Sequence, residues 1–277
     1  MTNHRCAFIS CIHGNLPALE AVLSEIEKQG IQSIYCLGDM TGYGPWPNEV
    51  ISLLEERNIP SIRGCWEEAL ISDKDDCGCN FTSDEEHELG EKAFDWTKRE
   101  LNNSSLSFLK KLPKHLEGDF GAGRILLVHG SPKSPYEYLQ ESTHELVLLE
   151  RAASSACDIL VCGHTHIPFV KDIKGNLIVT TSSNMLNKNP RENKDLVLKS
   201  KRVVNAGSVG EPRHGGDELS WVTIDVENGD AEVHFCKYDV NKTIKEMRRK
   251  MIPEAMIERF ALSQEMTGKK KDILCEC

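Results

Sequence analysis

The chain has 277 residues, of which 39% are apolar and 27% charged, and its formal net charge is −10. This composition predicts a globular protein with a full hydrophobic core. The negative charge and the dispersed Lys and Arg residues exclude a long phosphate-neutralising surface for duplex nucleic acid. No stretch reaches the ~18 apolar residues of a membrane span, and no apolar leader precedes the first strand, so we expect no membrane partner and a cytoplasmic location.

The first part of the chain alternates strand-like and helical segments. Short apolar runs at 5–10 and 33–37 predict strands. Each is followed by apolar residues at helical spacing, at 16–29 and 48–57, which predict helices. Repetition of strand, loop and helix predicts a layered α/β architecture with parallel strands.

The next part of the chain is expected to be an insertion near the functional pocket. Residues 60–63 predict another short strand, and residues 64–67 are expected to open a less regular segment. Apolar residues at helical spacing predict helix over 84–112. We interpret residues from about 68 to 115 as a partly helical insertion in one domain that spans 1–277.

The second half of the sequence has a different pattern, with many short strands and then a helical tail. Turn-forming Gly, Asn and Asp residues join several of these runs. The pattern predicts two packed mixed β-sheets with helices outside them, and helix from about 240 onward. The predicted strands cover residues 124–128, 158–162, 177–180, 202–204, 221–224 and 231–235.

Potential metal ligands follow strand-like runs at five separated points. The ends of strands are where an α/β fold collects a site. A single His of this kind is more often structural, but five clusters at strand ends predict a metal centre. Glycines beside most of the candidates would permit the close approach that crowded ion sites need. The candidates are Cys11 and His13, Asp39, Cys65, His129, and the pair His164 and His166.

The order of these motifs resembles that of the calcineurin-like metallophosphoesterases. That family carries Asp-x-His, Gly-Asp, Gly-Asn-His-Asp/Glu, His and Gly-His-x-His in sequence. Segments 42–49 and 205–213 resemble a bacterial phosphodiesterase-like branch, in which a Pro usually stands at the position of Ala206. The resemblance covers residues 5–240 and implies a four-layer α/β/β/α fold. The matching motifs are Cys11-Ile-His13, Gly38-Asp39, Gly64-Cys-Trp-Glu67, His129-Gly-Ser131 and Gly163-His-Thr-His166.

The resemblance implies two metal ions bridged by Asp39. It also implies that Asp39, His129 and His164 are the catalytic residues. The reaction would be hydrolysis of a small-molecule phosphoester, a diester rather than a monoester, with an activated water attacking phosphorus in line. The implied ligand sets are Cys11, His13, Asp39 and His166 for one ion, and Asp39, Cys65, His129 and His164 for the other.

Three positions depart from the family pattern at the centre of this site. Cys11 stands where the family has Asp, and Cys65 where it has Asn. Thiolates shift metal preference from Mn²⁺ or Mg²⁺ toward Fe and Zn, which we expect as the two ions. Trp66 replaces a His that assists the leaving group, and Glu67 or His214 are the candidate substitutes.

The two cysteine substitutions also allow a pseudoenzyme, in which the pocket has lost its metals and the thiols are small buried residues. Against it, such a pocket would bury Asp39 beside unpaired imidazoles. A metal-free module that binds a phosphorylated ligand is a further alternative. In either a hydrolase or a binding module, Arg213 is the candidate group for substrate phosphate, because its guanidinium presents several donors.

Further cysteines suggest a second use of the pocket. Cys77 and Cys79 are candidate additional thiolate ligands, and Cys275 and Cys277 form a similar pair near the C-terminus. An iron–sulfur cluster is therefore an alternative cofactor, and a non-hydrolytic redox or sensory protein the alternative function. The remaining cysteines, in or beside strand-like runs, are expected to be core residues: Cys6, Cys36, Cys157, Cys162 and Cys236.

Overall fold

The structure, a computed structural model, describes residues 4–72, 74, 76–79, 83–174, 178–179, 196–197, 200–216 and 218–265. Cys275 and Cys277 lie outside the described residues. Within these ranges, no helix is long and apolar enough to cross a bilayer. The helices are α1 (Leu16–Lys28), α2 (Pro47–Glu56), α3 (Cys65–Ile71), α4 (Asp84–Glu100), α5 (Asn103–Lys111), α6 (Glu145–Ser154), α7 (Val240–Arg249) and α8 (Glu254–Glu265).

Two mixed sheets form the centre of the fold. In the first sheet, β1 pairs parallel with β2 and antiparallel with β10, and β10 pairs antiparallel with β11. Its strands, in spatial order, are β11 (Ala231–Cys236), β10 (Leu219–Asp225), β1 (Arg5–Ile9) and β2 (Ser33–Cys36).

The second sheet has five strands, with a parallel centre and antiparallel edges. Its strands, in spatial order, are β3 (Leu116–Phe120), β4 (Gly123–Leu127), β5 (Ile159–Cys162), β9 (Lys201–Asn205) and β6 (Phe169–Ile173). The pairs β4–β5 and β5–β9 are parallel. A separate antiparallel pair joins β7 (Ile178–Val179) to β8 (Leu196–Val197).

The two sheets pack face to face because their inner faces are apolar. Successive side chains of a strand point to opposite faces. Cys6 and Phe8 of β1 therefore lie in the same buried cluster as Ile125 and Leu127 of β4 and Val222 of β10. This cluster is the layer between the sheets, and it contains every second residue of β1 and of β4.

The outer faces of the sheets are covered by helices. Ala7 and Ile9 of β1 pack in the cluster that contains the apolar side of α1, including Leu19 and Val22. On the other side, Leu160 of β5 packs in a cluster with residues of α6. The order of layers is helix, sheet, sheet, helix, so the expected four-layer α/β/β/α fold with two mixed sheets is confirmed.

Some local predictions were wrong. Residues 65–71 form helix α3 rather than a less regular segment, and residues 60–63 contribute a single bridge, between Cys36 and Ser61, rather than a strand. Strand β3 was missed because its sequence, Leu-Glu-Gly-Asp-Phe, lies at an edge with little burial and has no clear apolar alternation. Strand β6 and helix α6 were also missed.

The cysteines predicted to lie in the core are mostly buried. Cys6, Cys36, Cys157 and Cys162 are buried, whereas Cys236 is half-buried because β11 is an edge strand. The predicted helix over 84–112 is divided into α4 and α5, with Leu101 and Asn102 between them in extended conformations.

Candidate metal centre

The expected ligands converge because the strands that precede them end at one side of the two sheets. Cys11 and His13 follow β1, and Asp39 follows the neighbouring parallel strand β2. In the second sheet His129 follows β4, while His164 and His166 follow β5, again a parallel neighbour. Cys65 is the first residue of α3. Parallel strands end at the same edge, so residues distant in sequence become neighbours.

The seven residues form two groups of buried side chains. Asp39, Cys65, His129 and His164 make the first group, which we call the Cys65 subsite. Cys11, His13 and His166 make the second group, the Cys11 subsite. In each group the ligand atoms lie within 4.8 Å of one another.

Asp39 lies between the two subsites. Its Oδ2 is 3.2 Å from His129 Nε2 and 3.9 Å from His13 Nε2. The Cys65 Sγ is 3.2 Å from the same oxygen. The carboxylate therefore reaches both groups, as expected for a residue that bridges two ions.

The backbone around these residues adopts conformations that L-amino acids rarely use. Cys11, His13, Asp39, His164 and His166 have φ values of 52°, 50°, 52°, 66° and 61°. A left-handed conformation at a non-glycine residue costs of order 1–3 kcal/mol and is found mostly where function requires a fixed geometry. Five such residues in one set of seven indicate that tertiary contacts hold the ligand loops in place.

One glycine is required for the approach of α3 to Asp39. A Cβ added to Gly64 would lie 2.1 Å from Asp39 Oδ1 and 2.3 Å from Asp39 N. With glycine at this position, the Trp66 backbone N–H donates to Asp39 Oδ1 at 3.0 Å. The expected role of glycines beside the ligands, to permit close approach, applies at Gly64.

Buried Glu67 organises the two loops that carry Asp39 and Cys65. Its carboxylate accepts hydrogen bonds from the backbone N–H groups of Asp39, Thr41 and Gly64, at 2.8, 3.1 and 2.8 Å. It also accepts from Thr41 Oγ1. All of these bonds occupy the carboxylate on the protein side, which fits a positioning residue rather than the proton donor considered from the sequence. The spacing of Glu67 three residues after Gly64, as in a capping box, was the signal for this role.

In the Cys11 subsite the two imidazoles face each other. His13 Nδ1 donates to the Thr41 carbonyl at 3.1 Å, and His166 Nδ1 donates to the Glu211 carbonyl at 2.6 Å. Each ring therefore has its unprotonated Nε2 directed inward, and the two Nε2 atoms are 3.0 Å apart. Burial lowers the pKa of both His13 and His166, so a proton between them is disfavoured.

The Cys65 subsite repeats this construction at His129, whereas His164 turns its Nδ1 inward. His129 Nδ1 donates to the Leu37 carbonyl at 2.8 Å, which directs its Nε2 inward. That nitrogen is 3.2 Å from His164 Nδ1, which in turn lies 3.6 Å from Cys65 Sγ. Backbone carbonyls that hold the outer nitrogen of an imidazole are the usual support of metal-ligating His residues.

The ionisable groups of the two subsites have pKa values that are shifted in different directions. Burial favours the neutral form of Asp39, but the adjacent imidazoles outweigh it and lower the pKa of the carboxyl group. Burial also disfavours charge on His129, yet the Asp39 carboxylate raises its pKa to about 9. Burial, with His129 beside it, lowers the pKa of His164 to about 3. Burial raises the pKa of the Cys11 thiol to about 12, and that of Cys65 well above its usual range.

These residues fit a pair of divalent cations. Facing Nε2 lone pairs 3.0 Å apart repel each other, and a cation held by His13 and His166 would relieve that repulsion. Thiol, imidazole and carboxylate are the donors that Zn²⁺ and Fe²⁺ accept. Each coordinated thiol would release its proton, because thiolate is the binding form.

Trp66 places a buried apolar side chain where the family pattern has a His. It is 1% exposed, and its ring packs edge-on against His13 at a centroid distance of 6.0 Å. Tyr43 and Phe94 pack on the same indole at 4.9 and 5.7 Å. The indole N–H does not titrate in the physiological pH range, so Trp66 cannot act as the general acid that an imidazole supplies.

Arg213 lies beside the Cys11 subsite. Its backbone N–H donates to the His166 carbonyl, and its guanidinium donates to Glu211 Oε2 at 2.6 Å. The carboxylate of Glu211 raises the pKa of Arg213, although burial opposes this. The side chain is 28% exposed and interacts electrostatically with Tyr43 and Tyr138. It is thus a fixed cation that remains accessible to a ligand. Glu211 was not identified from the sequence.

Cys77 and Cys79 lie at the Cys65 subsite and not at the Cys11 subsite. Cys79 Sγ is 3.5 Å from Cys65 Sγ, and the side chains of Cys77 and Cys79 interact with each other. Cys11 instead groups with His13 and His166. The described part of the chain therefore brings three thiols together at this point, rather than the four considered for an iron–sulfur cluster.

The chain matches known proteins over most of its length. The family model described as a calcineurin-like phosphoesterase superfamily domain matches residues 5–229. An uncharacterized protein of Methanocaldococcus jannaschii is 32% identical over 266 residues, which cover 95% of this chain and 100% of that protein.

Two crystal structures share the architecture. A metallophosphoesterase from Sphaerobacter thermophilus has a TM-score of 0.68 and 27% identity, with 94% of this chain and 98% of that chain covered. A hypothetical protein from Pyrococcus horikoshii has a TM-score of 0.70 and 20% identity, with 92% and 97% covered. The second likeness supports the fold alone.

Proposed function

Because the chain belongs to the calcineurin-like phosphoesterase superfamily and is a metal-dependent hydrolase of phosphoester bonds, we propose that it cleaves phosphodiesters at a dinuclear centre with two thiolate ligands. Cys11, His13, Asp39 and His166 hold one ion. Asp39, Cys65, His129 and His164 hold the other.

The observation that carries this proposal is the pair of inward-facing imidazole sets on either side of one carboxylate. His13 and His166 meet through Nε2 atoms 3.0 Å apart, and His129 and His164 approach to 3.2 Å. Asp39 Oδ2 lies near both sets. Without a cation, burial would leave the facing lone pairs of His13 and His166 opposed in a low-dielectric interior, which is costly.

The residues around the centre have separable tasks in such a reaction. When bound, the two ions would polarise phosphoryl oxygens and activate a water for in-line attack on phosphorus. The carbonyls of Leu37, Thr41 and Glu211 hold the outer imidazole protons and so fix the direction of the inner nitrogens. Arg213 supplies a fork of donors for a phosphoryl oxygen that is not between the ions.

The absence of an imidazole at Trp66 restricts which phosphodiesters react well. The indole of Trp66 lies on that side of His13 and cannot act as a general acid. Loss of a general acid costs typically 10²–10⁴-fold for leaving groups that need protonation. We therefore infer that the chain acts best on diesters whose leaving group departs as a stable anion. The preference for diesters rests on the resemblance of segments 42–49 and 205–213 to the phosphodiesterase-like branch.

Fe and Zn, or two ions of one kind, fit this donor set better than Mn²⁺ or Mg²⁺. Thiolates at Cys11 and Cys65 are softer than the Asp and Asn that they replace. Metal analysis after anaerobic purification tests this directly, together with acid-labile sulfide. Two metals per chain without sulfide support the proposal, whereas several irons with matching sulfide would contradict it.

The activity test compares an activated diester with an activated monoester. Zinc- or iron-loaded protein is expected to hydrolyse bis(p-nitrophenyl) phosphate faster than p-nitrophenyl phosphate. The double variant Cys11→Asp/Cys65→Asn is expected to gain activity with Mn²⁺, and Cys236→Ser, a half-buried thiol on an edge strand, is the matched control. If neither the loaded protein nor the double variant cleaves the diester, the proposed function is wrong.

A further inference from the structure

A third thiol lies against the Cys65 subsite, on a segment outside the helices and strands. Cys79 Sγ is 3.5 Å from Cys65 Sγ, and Cys65 Sγ is in turn 3.2 Å from Asp39 Oδ2 and 3.6 Å from His164 Nδ1. Cys77, which is 1% exposed, contacts Cys79 through its side chain. The thiol of Cys79 thus lies next to a donor atom of this subsite, the Cys65 sulfur.

The segment that carries Cys79 is held in place by specific contacts. Gly78 N donates to Asp76 Oδ1 at 2.7 Å, which closes a turn just before Cys79. A Cβ added to Gly78 would lie 2.8 Å from Tyr136 Cε1, so only glycine allows the backbone to rest on this ring. Lys74 Nζ donates to Tyr136 Oη at 3.2 Å.

Tyr136 connects this segment to the metal centre. It belongs to the loop that follows His129, and the neighbouring Tyr138 packs on the His164 ring at a centroid distance of 4.1 Å. The loop after β4 therefore contacts both a ligand of the Cys65 subsite and the segment that carries Cys79. This arrangement fixes the thiol beside the subsite rather than leaving it on a free loop.

The surroundings of Cys79 differ from those of the structural cysteines. Cys157 Sγ donates to the Ala152 carbonyl at 3.4 Å, and Cys162 Sγ accepts from Asn205 Nδ2 at 3.5 Å, each within a strand-and-helix core. Cys79 instead contacts the thiols of Cys65 and Cys77. A cysteine that packs as a small apolar residue has no need of two other thiols.

We propose that Cys79 is a further metal-ligating thiol of the Cys65 subsite, so that this subsite binds a soft transition metal through Cys65 and Cys79 together. The inference rests on the proposed dinuclear centre. On coordination each thiol loses its proton to solvent and the thiolate sulfur donates an electron pair to the ion. Two thiolates at one ion favour Zn²⁺ or Fe²⁺ over Mn²⁺ and Mg²⁺ more strongly than one.

The first experiment uses the unaltered protein and alkylation by iodoacetamide under reducing conditions. Mass spectrometry follows the labelling rate of Cys79 in chelator-treated protein and in protein loaded with two zinc ions. Cys236 is half-buried like Cys79 but lies on an edge strand, so it serves as the internal standard. We expect zinc to slow labelling of Cys79 at least tenfold relative to Cys236. Equal labelling of Cys79 with and without zinc would overturn the inference, as would a Cys65–Cys79 disulfide that persists under reductant.

The second experiment counts thiolates in cobalt-loaded protein. Thiolate-to-cobalt charge-transfer absorption should fall by the contribution of one of three thiolates in Cys79→Ser and remain unchanged in Cys236→Ser. Unchanged absorption in Cys79→Ser would overturn the inference.

The cobalt spectra also separate this inference from the proposed function. If Cys11→Ser and Cys65→Ser lose absorption but Cys79→Ser does not, only the role of Cys79 is wrong. If none of these variants changes the absorption, the thiolate-ligated dinuclear centre itself is wrong.

Discussion

His13 and His166 face each other through Nε2 atoms that are 3.0 Å apart, although 153 residues separate them in the sequence. Each ring has already given its other N–H to a backbone carbonyl, of Thr41 and of Glu211 respectively. The contact therefore opposes two lone pairs in a buried site. It is the arrangement that a shared cation would stabilise.

Removal of metal should lower thermal stability through this contact. At a free zinc concentration 100 times the dissociation constant, binding to the folded state stabilises it by about 2.7 kcal/mol. We expect a higher melting temperature with zinc than with chelator, measured by circular dichroism. The variant His13→Ala should lose much of this difference. A melting temperature that does not respond to zinc or chelator would contradict the prediction.

The ion pair between Asp39 and His129 should contribute less to the stability of the metal-free protein as pH rises above neutral. The folded-state pKa of His129, about 9, exceeds its unfolded value of ~6.5 because the Asp39 carboxylate outweighs burial. Its stabilising contribution is therefore complete below pH ~6.5 and is lost as pH rises toward 9. Between pH 6.5 and 8 we expect a loss on the order of 1–2 kcal/mol in unfolding free energy.

Urea denaturation in chelator-containing buffers at several pH values measures this loss. His129→Gln keeps a polar side chain of similar size but does not titrate, so the stability difference between the unaltered protein and this variant should shrink by this amount over the same pH range. The unfolded thiols and the other histidines also titrate within this range, but they do so in both proteins and therefore cancel in the difference. A slope in His129→Gln equal to that of the unaltered protein would assign the pH dependence to other groups.

Replacement of Trp66 by His should restore assistance to poor leaving groups. Because Trp66 lies where the family carries an imidazole and packs against His13, an imidazole here is near the reacting centre. We expect roughly 10–100-fold faster hydrolysis of a diester with a poor leaving group in Trp66→His, and little change with p-nitrophenyl diesters.

The control for this prediction is Trp66→Phe, which leaves a similar cavity without a titratable group. Both variants lose part of a buried indole, so each should be destabilised by a few kcal/mol and assayed well below its melting temperature. Equal rates for the two variants on the poor leaving group would rule out a proton-donating role at this position.

Arg213→Gln should weaken substrate binding without loss of metal. The guanidinium interacts with Glu211 and remains 28% exposed, so its removal changes a ligand contact rather than a metal donor. We expect KM for the diester to rise about tenfold, the equivalent of ~1.4 kcal/mol, while zinc content stays at the unaltered value. Loss of zinc together with activity would instead make Arg213 a support of His166.

Much of the fold could be predicted from local sequence. The continuous apolar runs at 5–10 and 124–128 predicted buried strands. Successive residues of a strand point to opposite faces and most of both runs are buried, so only the structure shows which side chains face the layer between the sheets. Edge elements were harder to recognise. β3 was missed because, at the edge of its sheet, it has little apolar surface to bury and therefore no strong pattern.

The sequence also determined the chemical identity and order of the candidate ligands, since Cys11, His13, Asp39 and Cys65 each follow a recognisable run. It could not determine which subsite the thiols of Cys77 and Cys79 approach. Cys11 lies with His13 and His166, whereas Cys79 lies beside Cys65. That division depends on which strands are neighbours in the two sheets and on where the 76–79 segment rests.

The tertiary structure alone decided the directions of the imidazoles and the role of Glu67. Carbonyls of Leu37, Thr41 and Glu211 select the inward nitrogen of His129, His13 and His166 respectively, and a backbone carbonyl leaves no mark in the sequence. Glu67 is fixed by the N–H groups of Asp39 and Thr41, in one loop that is 26 to 28 residues away. Local patterns determine which donors a chain carries, but their convergence on a metal depends on long-range contacts that no local pattern encodes.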